Sequence, residues 1–177
     1  MKSLSHLARK AVHLDRALFR AAFRVKWEPL DRAMRLFTVA GTAGALWGAV
    51  AFAAFVATGF GAWDLILPWS AIAASWLVAE GSKYLFNRAR PFVWDTAIAP
   101  LIKTPSSSSF PSGHSATAAA GAISLSFLYP AFATPIMLAG FLVVFSRVYL
   151  GVHYPFDVLA GMVIGTVVAA FGILAFP

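Results

Sequence analysis

The sequence predicts an all-α integral membrane protein, a bundle of about five transmembrane helices preceded by an amphipathic helix at the membrane surface. Hydrophobic residues make up 60% of the 177 residues and charged residues only 12%, where a soluble domain carries about 25% charged residues. The charges cluster, and the uncharged stretches between the clusters are long enough to cross a bilayer. Cysteine is absent, which excludes disulfides, thiolate nucleophiles and Cys-ligated metals.

The first 27 residues predict the amphipathic helix, because apolar and basic side chains separate onto opposite faces. The apolar face consists of Leu4, Leu7, Ala11, Leu14, Leu18, Ala22 and Val25, and the basic face of Lys2, Arg9, Arg16, Arg20 and Arg24. Such a helix lies in the interface with its cations towards anionic headgroups. The alternative is a basic tail that only sets topology. Pro29 ends the segment, so we assign residues 1–28 to the interfacial helix.

Five apolar stretches follow, each a candidate for a helix that crosses the membrane. They run from about Leu36 to Phe60, Leu65 to Phe86, His114 to Leu128, Pro135 to Val148 and Pro155 to Phe176. The third and fourth are short and rich in small residues, which favours close packing inside the bundle. No linker divides the chain, so residues 1–177 are expected to form one domain, with residues 36–176 as its transmembrane core.

The distribution of basic residues predicts the orientation of the chain. With five spans, the N-terminus lies on the same side as the second-to-third and fourth-to-fifth connections. All 14 Lys and Arg residues fall on that side or at its boundary. Because basic residues are retained in the cytoplasm, we predict a multi-pass protein of the cell membrane whose N-terminus is cytoplasmic.

Two groups of polar residues stand where a membrane protein would otherwise be apolar. In the first, Lys83 and Arg90 follow the second span; they form either an anion site or a cationic flank that stops the span. In the second, Ser112, Gly113 and His114 open a helix. Free backbone N–H groups at such a helix start bind anions, and the alternative is a plain N-cap by Ser112.

The third group contains Arg147, His153 and Asp157. His153 and Asp157 are four residues apart and share a face if the helix has begun, so the carboxylate can fix the imidazole tautomer. The alternative is a capping Asp beside a satisfied His. All three groups lie at one face of the membrane, and together their cations and N–H groups suit a dianionic phosphate. Two histidines allow one nucleophile and one general acid.

These residues resemble the three-part signature of the type-2 phosphatidic acid phosphatase superfamily, K-x6-RP, PSGH and S-R-x5-H-x3-D. The signature runs here from Lys83 to Asp157 with every residue present. The superfamily also contains the vanadium haloperoxidases and glucose-6-phosphatase.

The resemblance implies a role for each signature residue. His153 would attack phosphorus to form a phosphohistidine, Asp157 would orient it and balance its charge, and His114 would protonate the leaving oxygen and then activate water. The remaining signature residues would hold the phosphate: Lys83, Arg90, Ser112, Gly113 and Arg147. The resemblance implies no metal or other cofactor, and the sequence places no carboxylate cluster there for Mg²⁺.

A site at the membrane boundary predicts a lipid phosphomonoester or diphosphate as substrate. The candidates are phosphatidic acid, phosphatidylglycerol phosphate, polyprenyl phosphates or diphosphates and prenyl-linked sugar phosphates. Larger family members have six spans and an outward-facing site; this chain has one span fewer, so its site is expected to face the cytoplasm.

Two other functions remain as alternatives. The first is a vanadate-dependent haloperoxidase, which the membrane spans disfavour. The second is a transporter or non-enzymatic scaffold, which would not need both histidines and the aspartate. No nucleic-acid partner is expected, and the Gly and Ala faces permit a dimer without requiring one.

Overall fold

The computed structural model describes residues 2–59 and 61–175; the side chains of residues 2–5 and 8 lie outside that description. The predicted span ends Phe60 and Phe176 and the side chains of Lys2 and Leu4 therefore fall outside the described part. Within it the chain is all-α, as expected. The helices are α1 (Lys2–Arg24), α2 (Glu28–Ala40), α3 (Ala45–Ala57), α4 (Trp63–Phe86), α5 (Pro91–Trp94), α6 (Gly113–Leu128), α7 (Ala133–Tyr149) and α8 (Pro155–Ala175).

Helix α6 is the centre of the bundle and packs against α4, α7 and α8. Its contact with α8 is close because two glycines of α8 face it. A Cβ added at Gly161 would lie within 3.0 Å of the backbone oxygen of Ser112, and one at Gly165 would lie 2.9 Å from the Cβ of Ala119. Such small-residue contacts let two helices meet at their backbones, the packing mode common in membranes.

The sequence predicted five membrane spans, whereas the structure has three or four candidate spans. Among the described residues, the segments long and apolar enough to cross a membrane are Trp63–Trp94, Pro130–Tyr149 and Pro155–Ala175; the pair α2 and α3 adds a fourth if it is one broken span. Helix α6 forms where predicted but has only 16 residues, fewer than the roughly 20 that a span needs. It lies inside the bundle, and ten of its residues are buried.

The first predicted span is not one helix. The stretch from Leu36 is divided by a turn at residues 41–44, where α2 and α3 meet at a bend of 54°. Gly44 has a φ of +76°, a left-handed conformation that glycine adopts without a steric penalty. A side chain there would also overlap Ile72. The bend brings Thr38 and Thr42 to the end of the bundle where the polar motifs meet.

Helix α1 packs onto the bundle through a face that the sequence pattern did not reveal. Phe19 is fully buried and its ring lies edge-on to that of Tyr154, with centroids 5.5 Å apart. Leu14 and Leu18, from the predicted apolar face, remain about half exposed. The helix therefore has a buried stripe beside the exposed leucines, and it covers the loop between α7 and α8.

Candidate active site

Three cations of the predicted site converge at one end of the bundle. Lys83 lies in the last turn of α4, Arg90 precedes α5, and Arg147 lies in the last turn of α7. Their charges act on one another. Glu80 pairs with Lys83, but among the described residues Arg90 and Arg147 form no salt bridge. Like charges gathered out of water are unfavourable unless an anion lies between them, so the two arginines favour an anion site over a cationic flank.

One hydrogen-bond donor of the Arg147 guanidinium has no acceptor among the described residues. Its side chain is buried, and its Nη1 donates to the hydroxyl of Thr38. Its Nε finds no acceptor among the described residues. Because a buried donor without a partner costs about 1–3 kcal/mol, this nitrogen is suited to an oxygen of a bound anion.

Arg90 joins two loops next to His153. Its Nε donates to the carbonyl of Ser107 at 2.8 Å, and its Nη1 donates to the carbonyl of Val152 at 2.8 Å. The same Nη1 lies 3.2 Å from Nε2 of His153. Arg90 thus holds the polar connection after α5 against the His153 loop while its guanidinium faces the imidazole.

The contacts of His153 define its tautomer. Nδ1 lies 2.7 Å from the carbonyl oxygen of Ser109, which can only accept, so Nδ1 carries the hydrogen. Nε2 faces Arg90, which can only donate, so Nε2 presents a lone pair. Burial, together with the charges of Arg147, Arg90 and Lys83, lowers the pKa of His153 well below 6.5. The imidazole is therefore neutral and nucleophilic at physiological pH.

Asp157 supports His153 less directly than predicted. Its Oδ2 lies 3.6 Å from Nδ1 of His153, beyond hydrogen-bond distance, because the Ser109 carbonyl takes that proton. The same Oδ2 accepts from the hydroxyl of Ser109 at 2.5 Å and from the backbone N–H of Tyr154 at 2.9 Å. The hydrogen bond that the spacing allows between the two side chains is therefore not formed in this structure. Asp157 instead fixes the residue whose carbonyl orients the imidazole.

The start of α6 has the N-cap that was one of the two alternatives predicted from the sequence. Ser112 is the N-cap, and its side chain accepts from the backbone N–H of Ser115. Its own N–H donates to the backbone oxygen of Asp157 at 3.0 Å, which ties the second motif to the third. At Gly113, an added Cβ would lie 2.6 Å from Oε1 of Glu80, the oxygen that accepts from Lys83 at 2.6 Å. A carboxylate therefore lies between this cation and the helix start.

His114 belongs to the same cluster. It lies in the first turn of α6, with Nε2 3.5 Å from the hydroxyl of Thr42. The charges of Arg147 and Lys83 both act on it. The structure therefore brings a second imidazole to the cation cluster, as the sequence motifs predicted.

A cavity of about 570 Å³ borders Lys83 on the outer side of α4. Its lining residues are Trp76, Glu80, Lys83, Tyr84, Asn87, Ser107 and Ser108. Tyr84 is 92% exposed and Trp76 is 45% exposed. The cavity therefore reaches Lys83 from the exposed outer side of α4.

Several residues of the site were not predicted. Thr38 and Thr42 reach it through the bend between α2 and α3, and Ser109 lies in a polar run that carries no motif of its own. Arg88 stands at an unspecified position of K-x6-RP, and in the structure it contacts Asp157. One feature of the sequence does mark Asp15: it is the single acidic residue among the first 27.

The second half of the chain matches a known family. The model of the PAP2 superfamily matches residues 63–177. The chain belongs to the PAP2 superfamily. This confirms the resemblance of the three motifs, and it leaves α1, α2 and α3 of this PAP2 protein outside the matched region.

Relatives of known structure share the whole fold. Aquifex aeolicus LpxE superposes with a TM-score of 0.78 at 27% identity, over 91% of this chain and 95% of that one. A PAP2-type phosphatidylglycerolphosphate phosphatase from Bacillus subtilis superposes with a TM-score of 0.74 at 28% identity, over 94% and 86%.

A curated relative matches in sequence over a shorter region. An undecaprenyl-diphosphatase from Sulfolobus acidocaldarius is 36% identical over 91 residues, which are 51% of this chain and 44% of the relative. The match therefore spans less than half the length of that relative.

Proposed function

We propose that this PAP2 protein hydrolyses a phosphomonoester or diphosphate on a membrane lipid through a phosphohistidine intermediate. The observation that carries the proposal is the neutral His153, whose Nε2 lone pair faces Arg90 among buried cations. An imidazole held in this tautomer beside an anion site is arranged to attack phosphorus.

The proposed reaction has two steps. The bound phosphate anion offsets the cations around His114, so that this imidazole takes up a proton from solvent. Nε2 of His153 then attacks phosphorus, the bond from phosphorus to the lipid oxygen breaks, and His114 gives its proton to that oxygen. Water then attacks the phosphohistidine, His114 takes up a proton from the water, and the P–N bond breaks to release phosphate. Asp157 balances the positive charge on the phosphorylated imidazole.

The phosphate oxygens are held by charge and by the start of a helix. Lys83, Arg90 and Arg147 supply the charge, with the free Nε of Arg147 as one donor. Ser112 and the backbone N–H of Gly113 supply the rest of the cradle. Phosphoryl transfer depends mainly on positioning and charge stabilisation, so no cofactor is required in this scheme.

A lipid substrate fits the position of the site. The cavity beside Lys83 opens between exposed aromatic residues of α4, so a headgroup can enter while its chain stays in the bilayer. The similar proteins also carry lipid names: undecaprenyl-diphosphatase and phosphatidylglycerolphosphate phosphatase. Polyprenyl diphosphates, phosphatidylglycerol phosphate, phosphatidic acid and prenyl-linked sugar phosphates are therefore the panel to test.

The assay is release of inorganic phosphate from this panel in detergent or vesicles. We expect activity that persists in EDTA, is inhibited by vanadate, and is abolished in His153→Ala. His13→Ala, which removes an exposed histidine of α1, is the matched control and should retain the wild-type rate. Full activity in His153→Ala would contradict the phosphohistidine, and halide oxidation that depends on vanadate would favour the haloperoxidase alternative.

We also propose that residues 1–177 act as one domain in the cell membrane, with the N-terminus and the site towards the cytoplasm and the basic side of α1 on anionic headgroups. The support is the basic N-terminal segment. Because the chain lacks cysteine, Ser107→Cys gives a single thiol beside the site. An impermeant thiol reagent should label it in inside-out vesicles; labelling in intact cells would overturn the orientation.

A further inference from the structure

We infer that Asp15, in the N-terminal helix, is a positioning residue for the active site, acting through Arg88 on Asp157 and on the start of α8. The inference rests on the proposed function. It concerns a residue outside the region 63–177 that matches the family model.

Asp15 is fully buried, and both of its oxygens are bound. Oδ2 accepts from Nη2 of Arg88 at 2.5 Å, and Oδ1 accepts from the backbone N–H of Phe156 at 2.8 Å. Nη1 of the same guanidinium donates to Oδ1 of Asp157 at 2.6 Å. One arginine therefore links a carboxylate of α1 to the carboxylate that supports His153.

The second carboxylate changes the electrostatics of the first. Arg88 with Asp157 alone is a neutral pair, whereas Arg88 between Asp15 and Asp157 leaves the group with a net negative charge. A positive charge forms on His153 when it takes up the phosphoryl group. Because Asp15 shares Arg88, Asp157 keeps the negative charge that offsets it.

Two carboxylates also fix the plane of the guanidinium. Arg88 is partly exposed, with its guanidinium carbon 4.3 Å from the centre of the Tyr154 ring. Charge-assisted bonds on two of its nitrogens leave it one orientation. Asp157, which accepts from Nη1, is held in turn, and so is the Ser109 hydroxyl that donates to it.

Asp15 also caps α8. The N-terminal N–H groups of a helix have no partner within it, and here the N–H of Phe156 is satisfied by Asp15 from another helix. His153 stands two residues before that helix begins. Helix α1 covers the same loop further along, where Phe23 occupies the space that a side chain at Gly151 would need.

The alternative is that Asp15 only docks α1 onto the bundle. Enzyme kinetics distinguishes this structural role from a positioning role. Asp15→Asn keeps the shape and removes the charge. Because the charge-assisted hydrogen bond to Arg88 is weakened, we expect kcat per folded enzyme to fall about ten- to a hundredfold. KM and the inhibition constant of inorganic phosphate should not change, because Asp15 does not touch the cradle.

Two further variants complete the test. Asp15→Glu keeps the charge and should recover part of kcat. Asp31→Asn is the matched control, since this acid of α2 accepts from the hydroxyl of Tyr149 and, within the part of the chain that the structure describes, forms no hydrogen bond with a residue of the site. Its kcat should equal that of the wild type.

Three results would overturn the inference. In the first, Asp15→Asn keeps the wild-type kcat, or loses phosphate binding together with kcat. In the second, both Asp15 variants fail to fold, which would make the residue purely structural. In the third, the wild-type chain hydrolyses no lipid phosphate, which refutes the proposed function itself; an active wild type with an unaffected Asp15→Asn refutes this inference alone.

Discussion

Gly161→Ala tests the close contact between α6 and α8. The added Cβ would lie within 3.0 Å of the Ser112 backbone oxygen, 3.0 Å from the Cβ of Ser115 and 3.2 Å from the N of Ala116. Two of these atoms are backbone, which cannot rotate away, so α6 and α8 must separate. Overpacking of this kind costs about 1–3 kcal/mol. The displaced atom belongs to Ser112, so the phosphate cradle moves with it.

A second glycine supplies the control. At Gly81, on the exposed side of α4, an added Cβ meets nothing within 4 Å. Gly81→Ala should therefore raise the free energy of unfolding by about 0.5–1 kcal/mol, the usual gain of Ala over Gly in a helix. SDS-induced unfolding in mixed micelles, followed by circular dichroism, measures both variants, and phosphate release measures kcat.

We expect the same Gly-to-Ala change to alter the free energy of unfolding in opposite directions at the two positions. Gly161→Ala should lower both the free energy of unfolding and kcat, whereas Gly81→Ala should lower neither. If Gly161→Ala is as stable and as active as Gly81→Ala, the backbone-to-backbone contact of α6 and α8 is refuted, and with it the rigid link between the second and third motifs.

Three further predictions concern the site itself. Ser109→Ala removes the hydroxyl that Asp157 accepts from and keeps the carbonyl that orients His153; steady-state kinetics should show kcat about tenfold lower at unchanged KM, and a change in KM alone would contradict it. Thr38→Val removes an acceptor of Arg147, so phosphate inhibition measurements should show binding weakened by a factor of about three to ten; unchanged binding would count against Arg147 as a phosphate ligand. Because burial and nearby cations lower the pKa of His153, it should lose activity by protonation only well below pH 6.5; a pH profile of kcat/KM whose acidic limb lies at 6.5 or above would refute the neutral nucleophile.

The sequence pattern predicted the helices whose ends are set by local features of the chain. Helices α4, α6, α7 and α8 lie within two residues of the predicted starts and within one of the predicted ends that the structure describes, because charges, prolines and apolar length set them. The bend between α2 and α3 was missed: Gly41 and Gly44 looked like ordinary small residues of a span. Only the packing of Gly44 against Ile72 shows why the helix turns there.

The motif residues of the site could be predicted, and their supports could not. Lys83, His114 and His153 stand at fixed spacings within short segments, so a sequence displays them. Asp15 reaches Arg88 across 73 residues, and nothing in its neighbourhood in the chain marks that contact. The hydrogen bond between Asp157 and His153 is not formed because the Ser109 carbonyl accepts from the imidazole instead. That carbonyl comes from a loop distant in the chain, so the sequence does not reveal the competition.

The contact of α6 with α8 also limits how a substrate can enter. Where no side chain fits between two helices, an acyl or prenyl chain does not fit either. Under the proposed function, we therefore expect the lipid to approach from the α4 side, along the cavity lined by Trp76 and Tyr84, and not between α6 and α8. We expect substitutions at Trp76 and Tyr84 to change the specificity for the headgroup and chain, and to leave the phosphoryl-transfer step at the histidines unchanged.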